Sequence, residues 1–127
     1  MTRIPLLVVD DNPLNLKLLR ILLSSKDYDI RTSTSAEEAQ EILQSFTPRL
    51  ILLDIQLPGM DGLEFTRSLK LSQATRDIII LAVTAYAMKG DEEKVLAAGC
   101  NGYISKPIDT RALPAVVAKF LGNAPIS

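Results

Sequence analysis

Three carboxylates, one hydroxyl and one ammonium stand where short runs of the sequence end. Asp10 and Asp11 follow the apolar run Ile4–Val9, and Asp54 closes Leu50–Leu53. Thr84 ends Ile78–Val83, and Lys106 follows the weaker run Gly102–Ser105. If these runs are strands of one parallel sheet, all five groups converge on a single rim. Three carboxylates gathered closely repel one another unless a cation sits among them. Oxygen donors without histidine or cysteine suit Mg²⁺, which keeps several waters and takes one or two carboxylates together with a phosphate. Such an ion holds a phosphoryl group against an oxygen nucleophile and neutralises charge during in-line transfer. Lys106 balances the remaining negative charge as a mobile point charge. Thr84 offers a hydrogen bond to a phosphoryl oxygen, and a carboxylate can act as the nucleophile by forming an aspartyl-phosphate.

Each group has a plainer reading when taken alone. Asp10-Asp11-Asn12-Pro13 is also a good turn and helix start. Asp54 before Pro58-Gly59 reads as a strand terminator, Thr84 as an ordinary strand end, and Lys106-Pro107 as a loop. The coincidence of all five at strand ends carries the chemical reading.

The elements that must position them follow from periodicity. Ile4–Val9, Leu50–Leu53 and Ile78–Val83 are apolar without alternation, as strands covered on both faces are. Tyr28–Thr32 and Gly102–Ser105 are two weaker strands. Helical spacing fills the gaps, with Leu14, Leu18, Ile21 and Leu22, then Ala39, Ile42, Leu43 and Phe46, recurring at steps of three and four. Gly62–Leu71 is read as the helix between the third and fourth strands. Leu113, Val116, Val117, Phe120 and Leu121 mark the last helix. Ser35 is placed as an N-cap ahead of Glu37 and Glu38. Gly99 and Gly122 are placed to end helices. Pro114, read as one turn inside the last helix, removes a backbone hydrogen bond there and predicts a tight or bent start. Five βα units imply an α/β fold, a doubly wound parallel sheet with right-handed crossovers and flavodoxin-like strand order 2-1-3-4-5. In such a sheet the ligand site lies beyond the carboxyl ends of the strands, between strands one and three.

Composition narrows the function classes. The 127 residues make room for one domain, expected over residues 1–122 with a short tail at 123–127 and no effector domain. Met1 just before the first strand favours a stand-alone chain. Fourteen basic against fifteen acidic residues give a net charge of −1, and the basic residues are scattered, without the stripe a nucleic-acid partner needs. The chain has no histidine, which excludes histidine general catalysis and any phosphohistidine of its own. Cys100 is the only cysteine, so no internal disulfide can form, and it reads as a packed core thiol. The first residues, Met1–Pro5, lack the apolar core and cleavage site of a signal peptide, no apolar run approaches membrane-spanning length, and a cytoplasmic location is expected.

The stretches Val8–Asn12, Leu53–Gly62, Val83–Ala85 and Tyr103–Pro107 resemble the response-regulator receiver family, over essentially the whole chain. Ala87–Glu92 and the Gly-Tyr-Ile-Ser-Lys-Pro ending are similar to single-domain regulators of the DivK type. The resemblance implies a phosphoacceptor switch of a two-component or phosphorelay system, not a turnover enzyme. Asp54 would accept the phosphoryl group from a sensor histidine kinase or a histidine phosphotransfer protein. Asp10, Asp11, Asp54 and the main-chain carbonyl of Gln56 would bind Mg²⁺, with Asp10 acting mostly through water. Thr84 and Lys106 would hold phosphoryl oxygens, Tyr103 would change rotamer with Thr84, and the Lys106–Pro107 bond would be cis. Gln56 and Tyr86 would flank the phosphoryl group, Tyr86 shielding it from water. Met88–Val95 and Arg111–Lys119 would form an output face of the fourth helix, fifth strand and fifth helix, for a protein partner or, in a phosphorylation-dependent dimer, a second copy.

Two rivals fit less well. A haloacid-dehalogenase-like phosphatase needs two aspartates separated by one residue, and a cap; here the aspartates are adjacent. A flavodoxin-like FMN carrier needs a Ser/Thr/Gly phosphate loop where this chain has Asp-Asp-Asn-Pro. The first helix is apolar on two sides, with Leu14, Leu18 and Ile21 on one and Leu16, Leu19 and Leu23 on the other. One stripe covers the sheet. The stripe of Leu14, Leu18 and Ile21 either packs on a neighbouring helix or docks the phosphohistidine donor.

Overall fold

The continuous apolar runs become strands buried on both faces. The computed structural model describes residues 3–24, 27–55, 61–84 and 89–122. In chain order the elements are β1 (Ile4–Val9), α1 (Pro13–Leu23), β2 (Tyr28–Ser33), α2 (Ala36–Ile42), β3 (Leu50–Asp54), α3 (Gly62–Leu71), β4 (Ile79–Thr84), α4 (Lys89–Ala97), β5 (Gly102–Ser105) and α5 (Leu113–Phe120). The strands pair in parallel in the order β2-β1-β3-β4-β5.

Alternate residues of the central strands feed two cores. Leu7, Val9, Ile51, Leu53, Ile80 and Ala82 pack with Ala36 and Ala39 of α2, Phe65 and Leu69 of α3, and Val95 of α4. Leu6, Val8, Leu50, Leu52, Leu81 and Val83 pack on the other face with Leu16, Leu19 and Leu23 of α1 and Leu113 and Val117 of α5. Leu16, Leu19 and Leu23 are therefore the stripe of α1 that covers the sheet. Leu14, Leu18 and Ile21 are left 76%, 41% and 63% exposed.

Local chemistry sets the helix ends. Ser35 Oγ accepts the Glu38 N–H at 3.1 Å, and the Glu38 carboxylate accepts the Thr34 N–H at 2.9 Å. Gly99 and Gly122 take positive φ, 112° and 69°, just beyond α4 and α5. Pro114 lies in the first turn of α5, not one turn inside it. The helix starts at Leu113, the first residue of its apolar stripe, and a turn precedes it. Asp109 Oδ1 accepts from the N–H groups of Arg111 and Ala112 at 3.0 and 3.2 Å. Pro114 therefore falls where a backbone N–H has no helical acceptor to lose.

Candidate functional site

Strand register brings the chemical residues to one edge. Val9 is level with Leu53, Asp54 with Val83, and Thr84 with Ser105. Asp10, Asp54, Thr84 and Lys106 therefore lie along the carboxyl ends of β1, β3, β4 and β5, on either side of the point where strand order reverses. Backbone bonds prolong the pairing past the strands: Asp10 N to the Ser33 carbonyl at 3.0 Å, Ile55 N to Val83 at 3.3 Å, and Lys106 N to Thr84 at 2.8 Å.

Asp10, Asp11 and Asp54 each present a carboxylate oxygen within 4.8 Å of the others. Asp10 and Asp54 are buried and Asp11 is exposed, so the cluster opens to solvent on one side. Lys106 Nζ donates to Asp54 Oδ2 at 3.1 Å. The Lys106–Pro107 peptide is cis. Thr84 is buried beside Asp54, one residue beyond Val83. Burial pushes the Asp10 carboxyl above its usual range and the charge of Asp54 adds to the rise, while the Asn12 N–H, Lys106 and Asn15 oppose it. An all-oxygen donor set crowded into partial burial, with one open side, fits a small hard cation such as Mg²⁺.

The entry to α3 closes the floor. A Cβ on Gly62 would lie 2.5 Å from Ile55 Cα and 3.1 Å from the Asp54 carbonyl oxygen, so only glycine lets α3 approach the end of β3. Asp61 Oδ1 caps this helix by accepting the Leu63 N–H at 2.7 Å.

Tyr103 of β5 is half-buried against the core that contains Val95, and the Glu92 carboxylate of α4 pushes its phenol above the ordinary value. Gln56, Tyr86 and Met88 lie outside the described residues. Two partners escaped the sequence reading. Asn15 Nδ2 donates to Asp10 Oδ2 at 3.4 Å, and Glu92 acts on the Tyr103 phenol. The available signal for the first was an asparagine at both the N-cap and the third residue of α1; for the second there was none.

Residues 6–118 match the response regulator receiver domain. The chain belongs to the response regulator receiver family. It is similar to the polar-differentiation response regulator DivK of Brucella ovis, 44% identical over 118 residues that span 93% of this chain and 96% of that protein. Among solved structures it is similar to the receiver domain of the sensor histidine kinase PA1611 of Pseudomonas aeruginosa, with TM-score 0.85 and 30% identity over 96% of this chain and 100% of that one. That structure holds a magnesium ion coordinated in its active-site cleft. The chemotaxis response regulator CheY4 of Vibrio cholerae shares the fold, with TM-score 0.87 and 23% identity over 94% and 99% of the two chains.

As a receiver domain the protein is a phosphoacceptor of two-component signalling, with an acidic pocket formed by Asp10, Asp11 and Asp54, and it is not a conventional enzyme. Membership implies a histidine kinase as phosphodonor. No helix among the described residues is long and apolar enough to cross a membrane.

Proposed function

We propose that Asp54 is the phosphoacceptor and that Asp10, Asp11 and Asp54, with the main-chain carbonyl of Gln56, hold Mg²⁺ beside it. The observation that carries this reading is the placement of Lys106 Nζ at 3.1 Å from Asp54 Oδ2 within the three-carboxylate cluster. A bound Mg²⁺ supplies charge neutralisation for the transferring phosphoryl group.

An Asp54 oxygen attacks phosphorus as the P–N bond of the donor phosphohistidine breaks, and the bonding electron pair stays on the imidazole nitrogen. Lys106 follows the charge from the carboxylate to a phosphoryl oxygen. The Thr84 hydroxyl donates to a second phosphoryl oxygen and is drawn toward it. That movement frees space behind β4 for the Tyr103 ring, which changes the surface formed by α4, β5 and α5. An apolar cleft of about 260 Å³ lined by Tyr103, Ile104, Pro107, Ile108, Leu113 and Val116 lies on this surface and supports its reading as the output face for a protein partner or a second copy. The exposed stripe of Leu14, Leu18 and Ile21, which begins beside Asp11, supports docking of a helical kinase or phosphotransfer protein there.

Acetyl phosphate or phosphoramidate with Mg²⁺ is expected to label the protein, and beryllofluoride to mimic the product. Labelling that survives Asp54→Ala, or proceeds equally in EDTA, overturns the assignment.

A further inference from the structure

Asp10 is 2% exposed and cannot turn its carboxylate toward bulk water, so its neighbours decide how it faces the acidic cluster. The terminal torsion of an aspartate is broad, and a single hydrogen bond leaves the carboxylate plane free to rotate about it. Here each oxygen has its own donor. Oδ1 accepts the Asn12 N–H at 2.9 Å, and Oδ2 accepts Asn15 Nδ2 at 3.4 Å. An ionised carboxylate only accepts, so the Asn15 amide must present its nitrogen, not its oxygen, toward Asp10.

Both donors come from the start of α1. Asn12 is the N-cap, its own side chain accepting the Leu14 N–H at 2.9 Å, and Asn15 is the third helical residue. In a capping box the residue at that third position reaches back to the N-cap backbone N–H. Asn15 reaches past the N-cap to the carboxylate two residues before it, so its polar group serves the cluster.

We infer that Asn15 is a positioning residue for the metal site, fixing the plane of the Asp10 carboxylate through the Asn15 Nδ2–Asp10 Oδ2 contact so that Asp10 is oriented before Mg²⁺ arrives. The inference rests on the reading of Asp10, Asp11 and Asp54 as Mg²⁺ ligands. Partners that orient metal ligands typically contribute about ten- to a hundredfold in metal affinity. A single long bond from a half-buried amide belongs at the low end of that range.

The test is calorimetric titration of the full chain with Mg²⁺, comparing wild type, Asn15→Leu, Asn15→Ala and Asp10→Asn, with thermal melts of each in EDTA. Both Asn15 variants are expected to bind Mg²⁺ about tenfold more weakly, with melting points in EDTA close to wild type. Unchanged Mg²⁺ affinity in both Asn15 variants, where Asp10→Asn loses binding, overturns the positioning role and leaves the metal site standing. A large fall in the EDTA melting point that accompanies any loss of affinity makes Asn15 a structural residue and also overturns the role. Absence of Mg²⁺ binding by wild type removes the site reading and this inference with it.

Discussion

Lys106 Nζ lies 3.1 Å from Asp54 Oδ2, joining a side chain that is 26% exposed to one that is 4% exposed. The ammonium keeps contact with water while its partner carboxylate does not, so the lysine can shift without being stranded in the core. This suits a charge that must follow a phosphoryl group. Lys106→Met is expected to slow labelling by acetyl phosphate by about 10²–10³, the range seen when one preorganised donor to developing charge is removed. Radiolabel or mass-shift kinetics at saturating Mg²⁺ measure it, and a rate within twofold of wild type (about 0.4 kcal/mol) contradicts the role.

Gly62→Ala tests how closely α3 must approach β3. The new methyl would meet the backbone at Ile55 Cα, 2.5 Å away, and backbone yields less easily than a flexible side chain. Overpacking of this kind costs on the order of 1–3 kcal/mol. A fall of several degrees in melting temperature is expected, roughly 2–8 °C for each kcal/mol. Because the clash lies next to Asp54, labelling is expected to slow as well. A melting temperature equal to wild type would mean that α3 has room to retreat.

The sequence shows most of this architecture because the strands are buried on both faces. Ile4–Val9, Leu50–Asp54 and Ile79–Thr84 can be unbroken apolar runs only where helices cover both sides, and that condition also places Asp10, Asp54 and Thr84 at one edge. Ambiguity remained where two patterns were equally apolar. Leu14, Leu18, Ile21 and Leu16, Leu19, Leu23 carry equal hydrophobicity, and only the packing of α1 beside α5 decides which stripe turns inward. Pro114 falls in the first turn of α5 and not one turn inside it, because the residues just before Leu113 form a turn held by the Asp109 side chain. Asn15 to Asp10 is a local contact at the start of α1, signalled only by the two asparagines there, and the influence of Glu92 on Tyr103 has no periodic signature to announce it.

Leu18 is 41% exposed, midway along the outward stripe of α1 and one turn from the site edge. A charged residue there leaves the core untouched. Leu18→Glu is expected to slow phosphotransfer from the histidine donor by about five- to tenfold, as loss of a moderate interface anchor would. Labelling by acetyl phosphate is expected to stay at the wild-type rate, since that donor needs no protein surface. Parallel rate measurements with the two donors check this, and an equal fall with both donors would return the stripe to a purely structural role.

Tyr103 of β5 and Glu92 of α4 influence one another electrostatically. The Glu92 carboxylate raises the Tyr103 phenol above its usual value of 10.0, first as a hydrogen-bond acceptor and then, with partial burial, by its charge. The sign follows from linkage. A folded-state value above the unfolded one gives stability that is fully present below the unfolded value and lost as pH rises through the folded one. Glu92→Gln removes the charge and is expected to bring the Tyr103 ionisation down toward its ordinary value, read by ultraviolet titration against a Tyr103→Phe reference. If phosphorylation draws Thr84 toward Asp54 and lets the ring turn, the Tyr103 phenol is expected to leave the influence of the Glu92 carboxylate. A ligand shifts such an equilibrium only by its differential interaction with the two states. Weakening the interaction by Glu92→Gln is therefore expected to favour the turned state even before activation. Amide exchange over Glu92–Tyr103 should then resemble, in the unactivated variant, the pattern that beryllofluoride produces in wild type. Thr84→Val should still be labelled at Asp54 yet show little of that change. Exchange over Glu92–Tyr103 that is identical with and without beryllofluoride in wild type would make Tyr103 a static core aromatic and leave partners to read the charge at the rim directly.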